Sequence, residues 1–193
     1  MRGLWYEARM TAAVITTLPG AGRIGLLADT HCDAVRRVPA AVLEIFTGVD
    51  LILHLGDCGD AGILAELEGV APVLATRGAD DAADDPHYAE RRLIEVGGLV
   101  VGALFDLADI GIANQADHPA IDATTIGEIL IKAFGRRVDV VACGATHRPW
   151  VAQCAGVLLV NPGSATLPAP PGRATAAVIE CRDRVATVAI EPV

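Results

Sequence analysis

The sequence RIGLLADTH at Arg23–His31 joins a short apolar run to three polar residues. The length of this run and its glycine-containing flanks predict a buried β-strand, with the polar residues just beyond the end of the strand. Two further apolar runs, Asp50–His54 and Ala71–Thr76, also lead into loops that contain glycine and charged residues. The first half of the chain therefore predicts three strands that end in potentially functional loops.

Helical patterns separate these strands, because apolar residues recur at helical spacing over residues 34–46 and 61–67. Strand and helix in alternation are typical of a parallel α/β sheet. The later sequence predicts a hairpin around Gly97-Gly98, loops over residues 79–87 and 105–120, and a helix over residues 124–134 with a threonine N-cap. Further strands are predicted at residues 92–96, 99–104, 138–143, 150–154, 157–160, 175–180 and 185–190.

The composition narrows the class of protein. The chain has 193 residues, of which 52% are hydrophobic and 20% charged, so it can bury a full core and is not a disordered segment. A net charge of −9 disfavours nucleic-acid polymers, because an acidic surface releases no counterions from phosphates. No run approaches the roughly 20 apolar residues of a membrane span. The five cysteines form no regular framework, and the first 22 residues do not form a secretion signal, so we expect a cytoplasmic protein.

Polar side chains follow the predicted strands at one edge of the sheet. Asp29 and His31 follow the first strand, Asp57 the second, and His147 a later strand that ends in Gly144. Because ligands of open α/β sheets bind beyond the carboxyl ends of the strands, we expect these side chains to lie close together. Carboxylates and imidazoles suit Mn²⁺, Fe²⁺ or Zn²⁺ better than Ca²⁺ or Cu⁺. The pattern therefore predicts a divalent metal site.

Five segments, in order over about residues 23–190, resemble the calcineurin-like metallophosphoesterases. The similarity is to the small bacterial and archaeal phosphodiesterase branch, which also contains the retromer scaffold subunit of eukaryotes. The resemblance implies a four-layer α/β/β/α sandwich with two mixed β-sheets, formed by one domain over residues 23–193 after an N-terminal extension of residues 1–22. The segments are Ile24–His31 (IGLLADTH), Leu53–Asp57 (LHLGD), Leu74–Asp81 (LATRGADD), Val140–Pro149 (VVACGATHRP) and Asn161–Ser164 (NPGS).

The resemblance also assigns metal positions residue by residue, and here the sequence departs from the family. One metal site of the family matches residues that all carry ligand side chains, namely Asp29, His31, Asp57 and His147. The other site shares Asp57 and otherwise matches residues that cannot coordinate a metal, namely Ala79, Phe105 and Ala145. We therefore expect one divalent ion per chain, Mn²⁺ first, with Fe²⁺, Zn²⁺ or Ni²⁺ as alternatives.

Three functions remain open at this point. The first is a weak, mononuclear phosphoesterase acting on a small phosphate ester or nucleotide, because a single ion cannot clamp both the attacking and the leaving oxygen. The second is a non-catalytic scaffold or binding module with a protein partner, and the third is a sensor for phosphate or a nucleotide. Arg148 could contact a phosphate or form a salt bridge, and the sequence does not fix the oligomeric state.

A rearranged second metal site is a further alternative. The acidic residues of loop 80–87, or Asp106, Asp109 and His118 in the later loop, could supply its ligands. Runs of charge are usually solvated, so we interpret loop 80–87 as an exposed acidic loop.

Overall fold

The computed structural model describes residues 13–193 except residues 34, 36, 115–118 and 121. Strands dominate these residues, with three α-helices and a short 3₁₀-helix between them. In chain order the elements are β1 (Val14–Thr17), β2 (Gly22–Leu27), α1 (Ala40–Ile45), β3 (Leu51–His54), α2 (Gly62–Glu68), β4 (Val73–Thr76), β5 (Tyr88–Ala89), β6 (Arg91–Val96), β7 (Leu99–Leu104), the 3₁₀-helix (Leu107–Ile110), β8 (Ala113–Asn114), β9 (Pro119–Ala120), α3 (Ile126–Phe134), β10 (Val140–Ala142), β11 (Pro149–Cys154), β12 (Val157–Pro162), β13 (Thr175–Arg182) and β14 (Val185–Pro192).

The larger strands form two mixed sheets of six strands each. One sheet has the order β14-β13-β2-β3-β4-β5, in which β2, β3, β4 and β5 run parallel and β13 pairs antiparallel with both of its neighbours. The other has the order β1-β6-β7-β10-β12-β11 and includes the predicted hairpin of β6 and β7. The parallel strands place the ends of β2, β3 and β4 at one edge, where the polar loops begin.

Three apolar clusters separate four layers, which confirms the predicted sandwich. The first cluster lies between the two sheets. The second joins one sheet to α1 and α2, and the third joins the other sheet to α3. Each outer layer is anchored where an aromatic ring covers a strand glycine. A Cβ at Gly25 would lie 2.8 Å from the ring of Phe46, and a Cβ at Gly102 would lie 2.8 Å from that of Phe134.

The structure corrects two predicted elements. Helix α1 occupies only Ala40–Ile45 of the predicted residues 34–46, because Pro39 is extended, with φ −60° and ψ 138°, and the helix begins after it. The predicted loop 105–120 contains the 3₁₀-helix and the strands β8 and β9. The domain boundary at residue 23 stays a prediction, although β1 already pairs in parallel with β6. Among the described residues, no helix is long and apolar enough to cross a membrane.

Candidate metal centre

The candidate site lies where the loops after β2, β3, β4 and β10 meet. Backbone hydrogen bonds fasten the first two loops side by side, because Asp29 N donates to Gly56 O (3.0 Å) and His31 N donates to Asp57 O (2.9 Å). The loop after β10 joins them through the carboxylate of Asp29, which accepts the backbone N–H groups of Ala145 (3.1 Å) and His147 (3.3 Å). Three segments that are distant in sequence thus share one edge of the sandwich.

The four residues predicted as metal ligands come together at this edge. Ligand atoms of Asp29, His31 and His147 all lie within 4.8 Å of one another, and the same holds for His31, Asp57 and Asp80. The imidazole rings of His31 and His147 stack, with centroids 5.2 Å apart and an angle of 15° between the planes. Two carboxylates and two imidazoles are a donor set that fits a divalent transition metal. Their role as ligands stays a prediction.

The backbone is strained at all four positions. Asp29, His31, Asp57 and His147 have φ values of 51°, 42°, 52° and 55°, in the left-handed region that non-glycine residues seldom occupy. Such strain costs of order 1–3 kcal/mol per residue and collects at functional sites, where the surrounding structure enforces it. The chain therefore tolerates an unfavourable backbone in order to aim these side chains at one point.

Burial makes ionisation of the two site carboxylates unfavourable. Burial raises the pKa of Asp29 from 3.8 to about 6, although His147 opposes the shift. Burial also raises the pKa of Asp57, against the effect of the N–H of Asp80 and of His31. Both shifts mean that the ionised carboxylates are unfavourable in this setting, and a bound divalent cation would reverse that effect. This electrostatic property also fits a metal centre.

Glycine is required where two of the loops touch. A Cβ at Gly78 would lie 2.1 Å from Asp57 N and 2.2 Å from Asp57 Oδ1, and one at Gly56 would lie 2.8 Å from Gly78 N. Only a residue without a side chain lets the loop after β4 approach the carboxylate of Asp57 this closely.

Asp81 is the buried centre of the loop connections, so the expectation of a purely solvated acidic loop is wrong at this residue. Its side chain accepts the backbone N–H groups of Asp57 (2.9 Å), Cys58 (2.9 Å) and Gly78 (2.8 Å). Asp84 is exposed, as expected for a solvated loop. Sequence reasoning missed the role of Asp81, and its only signal was the position directly after a glycine-containing strand end.

A fully buried polar chain lies beneath the metal loops. Thr30 Oγ1 donates to Cys58 O (3.0 Å) and lies 2.9 Å from His54 Nε2, while Cys58 Sγ lies 3.0 Å from His54 Nδ1. We assign the Nε2–H tautomer to His54, which then donates to Thr30 and accepts from the thiol of Cys58. Burial lowers the pKa of His54 to about 3 and raises that of Cys58 far above its usual range, so both groups are neutral. His54 thus links the Asp29–His31 loop to the Asp57 loop.

The loop after β12 supports the site from behind. Ser164 Oγ donates to Asp29 O (2.7 Å), and Asn161 Nδ2 donates to Gly144 O (2.7 Å). His147 Nδ1 donates to Leu167 O (2.7 Å), which directs the other ring nitrogen, Nε2, away from that carbonyl. The sequence contains no signal for the contact with Leu167, because it joins loops 20 residues apart.

The three positions matched to the missing ligands also lie at this edge. Ala145 donates its N–H to Asp29 and has a φ of 69°. Ala79 lies between Gly78, which touches Asp57, and Asp80, whose N–H donates to Asp57 Oδ1 (2.9 Å). The ring of Phe105 covers the backbone of Gly56, since a Cβ there would lie 2.5 Å from Phe105 Cδ2. An apolar ring thus lies against the turn that carries Asp57.

Among the described residues proposed as substitutes, Asp80 alone belongs to a candidate ligand group. Asp85 pairs with His87 at 2.7 Å, and Asp106 accepts the N–H of Ala108 (2.9 Å) at the start of the 3₁₀-helix. Burial raises the pKa of Asp109, and His118 lies outside the described residues. Arg148 follows His147 and donates to Pro170 O (3.0 Å), so its contact with a phosphate stays a prediction.

Comparison with known families accounts for this arrangement. The family model of the calcineurin-like phosphoesterase superfamily domain matches residues 23–184. The chain belongs to this superfamily. A probable metallophosphoesterase of Methanocaldococcus jannaschii is 35% identical to this calcineurin-like chain over 179 residues, which cover 88% of the chain and 86% of the relative.

Solved structures share the fold of this calcineurin-like domain at lower identity. An archaeal phosphodiesterase has a TM-score of 0.61 and 21% identity, and the match covers 88% of this chain and 99% of that one. Vps29 of Entamoeba histolytica, solved with Zn²⁺, has a TM-score of 0.66 and 17% identity, with coverage of 89% and 98%. At these identities the likeness establishes the fold alone.

Proposed function

We propose that this protein is a cytoplasmic, metal-dependent phosphoesterase of low turnover. It holds one divalent ion, for which Mn²⁺ is the first candidate, between Asp29, His31, Asp57 and His147. The observation that carries the proposal is that ligand atoms of Asp29, His31 and His147 lie within 4.8 Å of one another, as do those of His31, Asp57 and Asp80. The family resemblance matches the second site to Ala79, Phe105 and Ala145, which carry no ligand atoms. A bound divalent ion would polarise a phosphoryl oxygen and lower the pKa of a coordinated water. The loss of the second ion removes several kcal/mol of charge stabilisation, which corresponds to a rate on the order of 10³-fold lower than that of a two-metal site.

Charge favours a phosphodiester over a phosphomonoester as substrate. The carboxylates of Asp29 and Asp57 offset the two positive charges of the ion, so the filled centre is close to neutral. Asp80 adds negative charge beside His31, and the whole chain carries −9. A diester brings one negative charge to this surface and a monoester brings up to two, so repulsion is weaker for the diester. Small esters and nucleotides fit this site better than nucleic-acid polymers, which the acidic surface repels.

The test combines metal analysis with hydrolysis of two aryl esters. We expect about one Mn²⁺ per chain, and slow hydrolysis of bis(p-nitrophenyl) phosphate that exceeds hydrolysis of p-nitrophenyl phosphate. Asp57→Ala should abolish both the bound ion and the hydrolysis, whereas Asp84→Ala, in an exposed position of the acidic loop, should leave both intact. Two ions per chain, or rapid hydrolysis that Asp57→Ala abolishes, would contradict the one-site proposal.

A scaffold function is the second candidate, and the observation that favours it is the Phe105 ring against the Asp57 turn. Such an apolar residue serves binding better than metal catalysis. The fold is also that of Vps29. A folded chain that binds no metal and hydrolyses neither ester at any Mn²⁺ concentration would support the scaffold over the phosphoesterase.

Metal affinity should fall as the solution becomes more acidic than about pH 6. Because the pKa of Asp29 is raised to about 6, a proton competes with the ion below that pH. For one displaced proton the affinity drops about tenfold per pH unit. In the metal-free chain the sign is opposite, since the stability that this protonated carboxyl contributes is present below pH 3.8 and lost as the pH rises through about 6. Calorimetric titration with Mn²⁺ between pH 5 and 8 checks the first slope, and unfolding with chelator over the same range checks the second. Affinity that does not change with pH would contradict the role of Asp29.

A further inference from the structure

Asp80 lies beside the imidazole of His31, and so does Asp57. Asp80 Oδ2 lies 3.4 Å from His31 Nδ1, while Asp57 Oδ2 lies 3.7 Å from His31 Nε2. The two ring nitrogens therefore face two different carboxylates.

In His147, too, one ring nitrogen contacts a protein acceptor and the other is left for the metal. His147 Nδ1 donates to Leu167 O at 2.7 Å, so Nε2 is its ligand nitrogen. The two rings stack nearly in parallel. If Nδ1 of His31 likewise donates to a protein acceptor, both rings present Nε2 to the metal.

We infer that Asp80 is a positioning residue. Its carboxylate accepts a hydrogen bond from Nδ1–H of His31 and so holds Nε2 towards the metal. This role rests on the proposed metal centre, because it concerns how that centre is oriented. A carboxylate behind a metal-binding histidine fixes the tautomer and the ring orientation and raises the basicity of the ligand nitrogen.

The loop around Asp80 is built to hold this carboxylate in place. The backbone N–H of Asp80 donates to Asp57 Oδ1 at 2.9 Å, which ties the residue to the facing metal loop. The next residue, Asp81, is buried and anchored by three backbone N–H groups. The side chain of Asp80 itself is 67% exposed, whereas that of Asp57 is 9% exposed. Asp80 is thus the more exposed of the two carboxylates beside His31, and its nearest ring nitrogen is Nδ1, whereas that of Asp57 is Nε2.

The experiment compares Asp80→Ala and Asp80→Asn with Asp84→Asn, a control that removes one charge from an exposed position of the same loop. Zn²⁺ affinity is measured by competition with a chelating dye, and unfolding is measured with excess chelator. We expect Asp80→Ala to weaken Zn²⁺ binding by about 10–100-fold, the range for outer partners of metal ligands. Asp80→Asn should retain most of the affinity, since its amide oxygen can still accept a hydrogen bond from Nδ1–H of His31. Asp84→Asn should change affinity less than twofold, and the metal-free stability of all three should match the wild type.

A spectroscopic readout separates positioning from a merely structural role. Long-range ¹H–¹⁵N NMR spectra of the Zn²⁺-loaded wild type should show His31 protonated at Nδ1 and coordinated through Nε2. Unchanged Zn²⁺ affinity in Asp80→Ala, or His31 coordinated through Nδ1, would overturn the inference and leave the proposed function intact. A wild type that binds two ions and an Asp80→Ala variant that binds one would make Asp80 a direct ligand instead. Absence of both Zn²⁺ and Mn²⁺ binding by the wild type would overturn the proposed function and this role with it.

Discussion

Replacing Asp81 by alanine should lower the free energy of unfolding by about 4 kcal/mol. The substitution leaves the buried N–H groups of Asp57, Cys58 and Gly78 without their carboxylate acceptor. Each unsatisfied buried donor costs about 1–3 kcal/mol, and partial access of water reduces the sum. Chemical denaturation in excess chelator measures this loss without any contribution from bound metal.

The matched control for this change is Asp84→Ala in the same loop. Asp84 is exposed, and a surface substitution of this kind should change stability by less than about 0.5 kcal/mol. Asp81→Asn should fall between the two, because the amide keeps one acceptor oxygen and places an N–H₂ group against backbone donors. Equal stabilities of the Asp81→Ala and Asp84→Ala variants would show that Asp81 does not hold the loops together.

Replacing Asp57 by asparagine should weaken divalent-metal binding by more than about 100-fold, the upper end of the effect of outer partners. The substitution removes a charged ligand but keeps an oxygen that can accept the N–H of Asp80. Because burial raises the pKa of Asp57, its ionised form is unfavourable in the fold, and the metal-free variant should be no less stable than the wild type. Mn²⁺ at 100 times its dissociation constant should stabilise the wild type by about 2.7 kcal/mol and the variant hardly at all.

Asp60→Asn provides the control for that measurement. Asp60 follows Asp57 by three residues, is exposed, and accepts the N–H of Gly62 at 2.8 Å, a contact that asparagine can keep. Its metal affinity should equal that of the wild type. A similar loss of affinity in both variants would point to a general effect of charge and would contradict coordination by Asp57.

The sandwich itself could be predicted from the sequence because its signals are local. Short apolar runs that end in glycine and aspartate, such as Arg23–His31, indicate buried strands, and Gly97-Gly98 marks the hairpin between β6 and β7. The predicted length of helix α1 is too great, because the apolar spacing continues across Pro39 whereas the helical backbone begins only after it. The pairing of β1 with β6 joins segments more than 70 residues apart. No local pattern encodes a pairing at that distance.

The candidate ligands could be named from the sequence because strand ends converge in a parallel sheet, and the family resemblance assigned them to one metal site. The side chains that hold the ligand loops in place could not be predicted from the sequence. The carboxylate of Asp81 turns inward while that of Asp84 stays in water, although both belong to one acidic run. What distinguishes them is the set of backbone N–H groups that the folded loops present, and that set exists only after folding. The proximity of Asp80 to His31 has the same origin.

The backbone at Ala145 lies in the left-handed region although its side chain is a methyl group. Its φ of 69° is unfavourable for alanine, and asparagine or histidine adopts this conformation more readily. The neighbouring hydrogen bond to Asp29 holds the peptide in place whatever the side chain is. Exchange at this position therefore alters chemistry without altering the path of the chain. A residue with a metal-binding side chain, such as histidine, can therefore replace Ala145 without any change in the backbone of this loop.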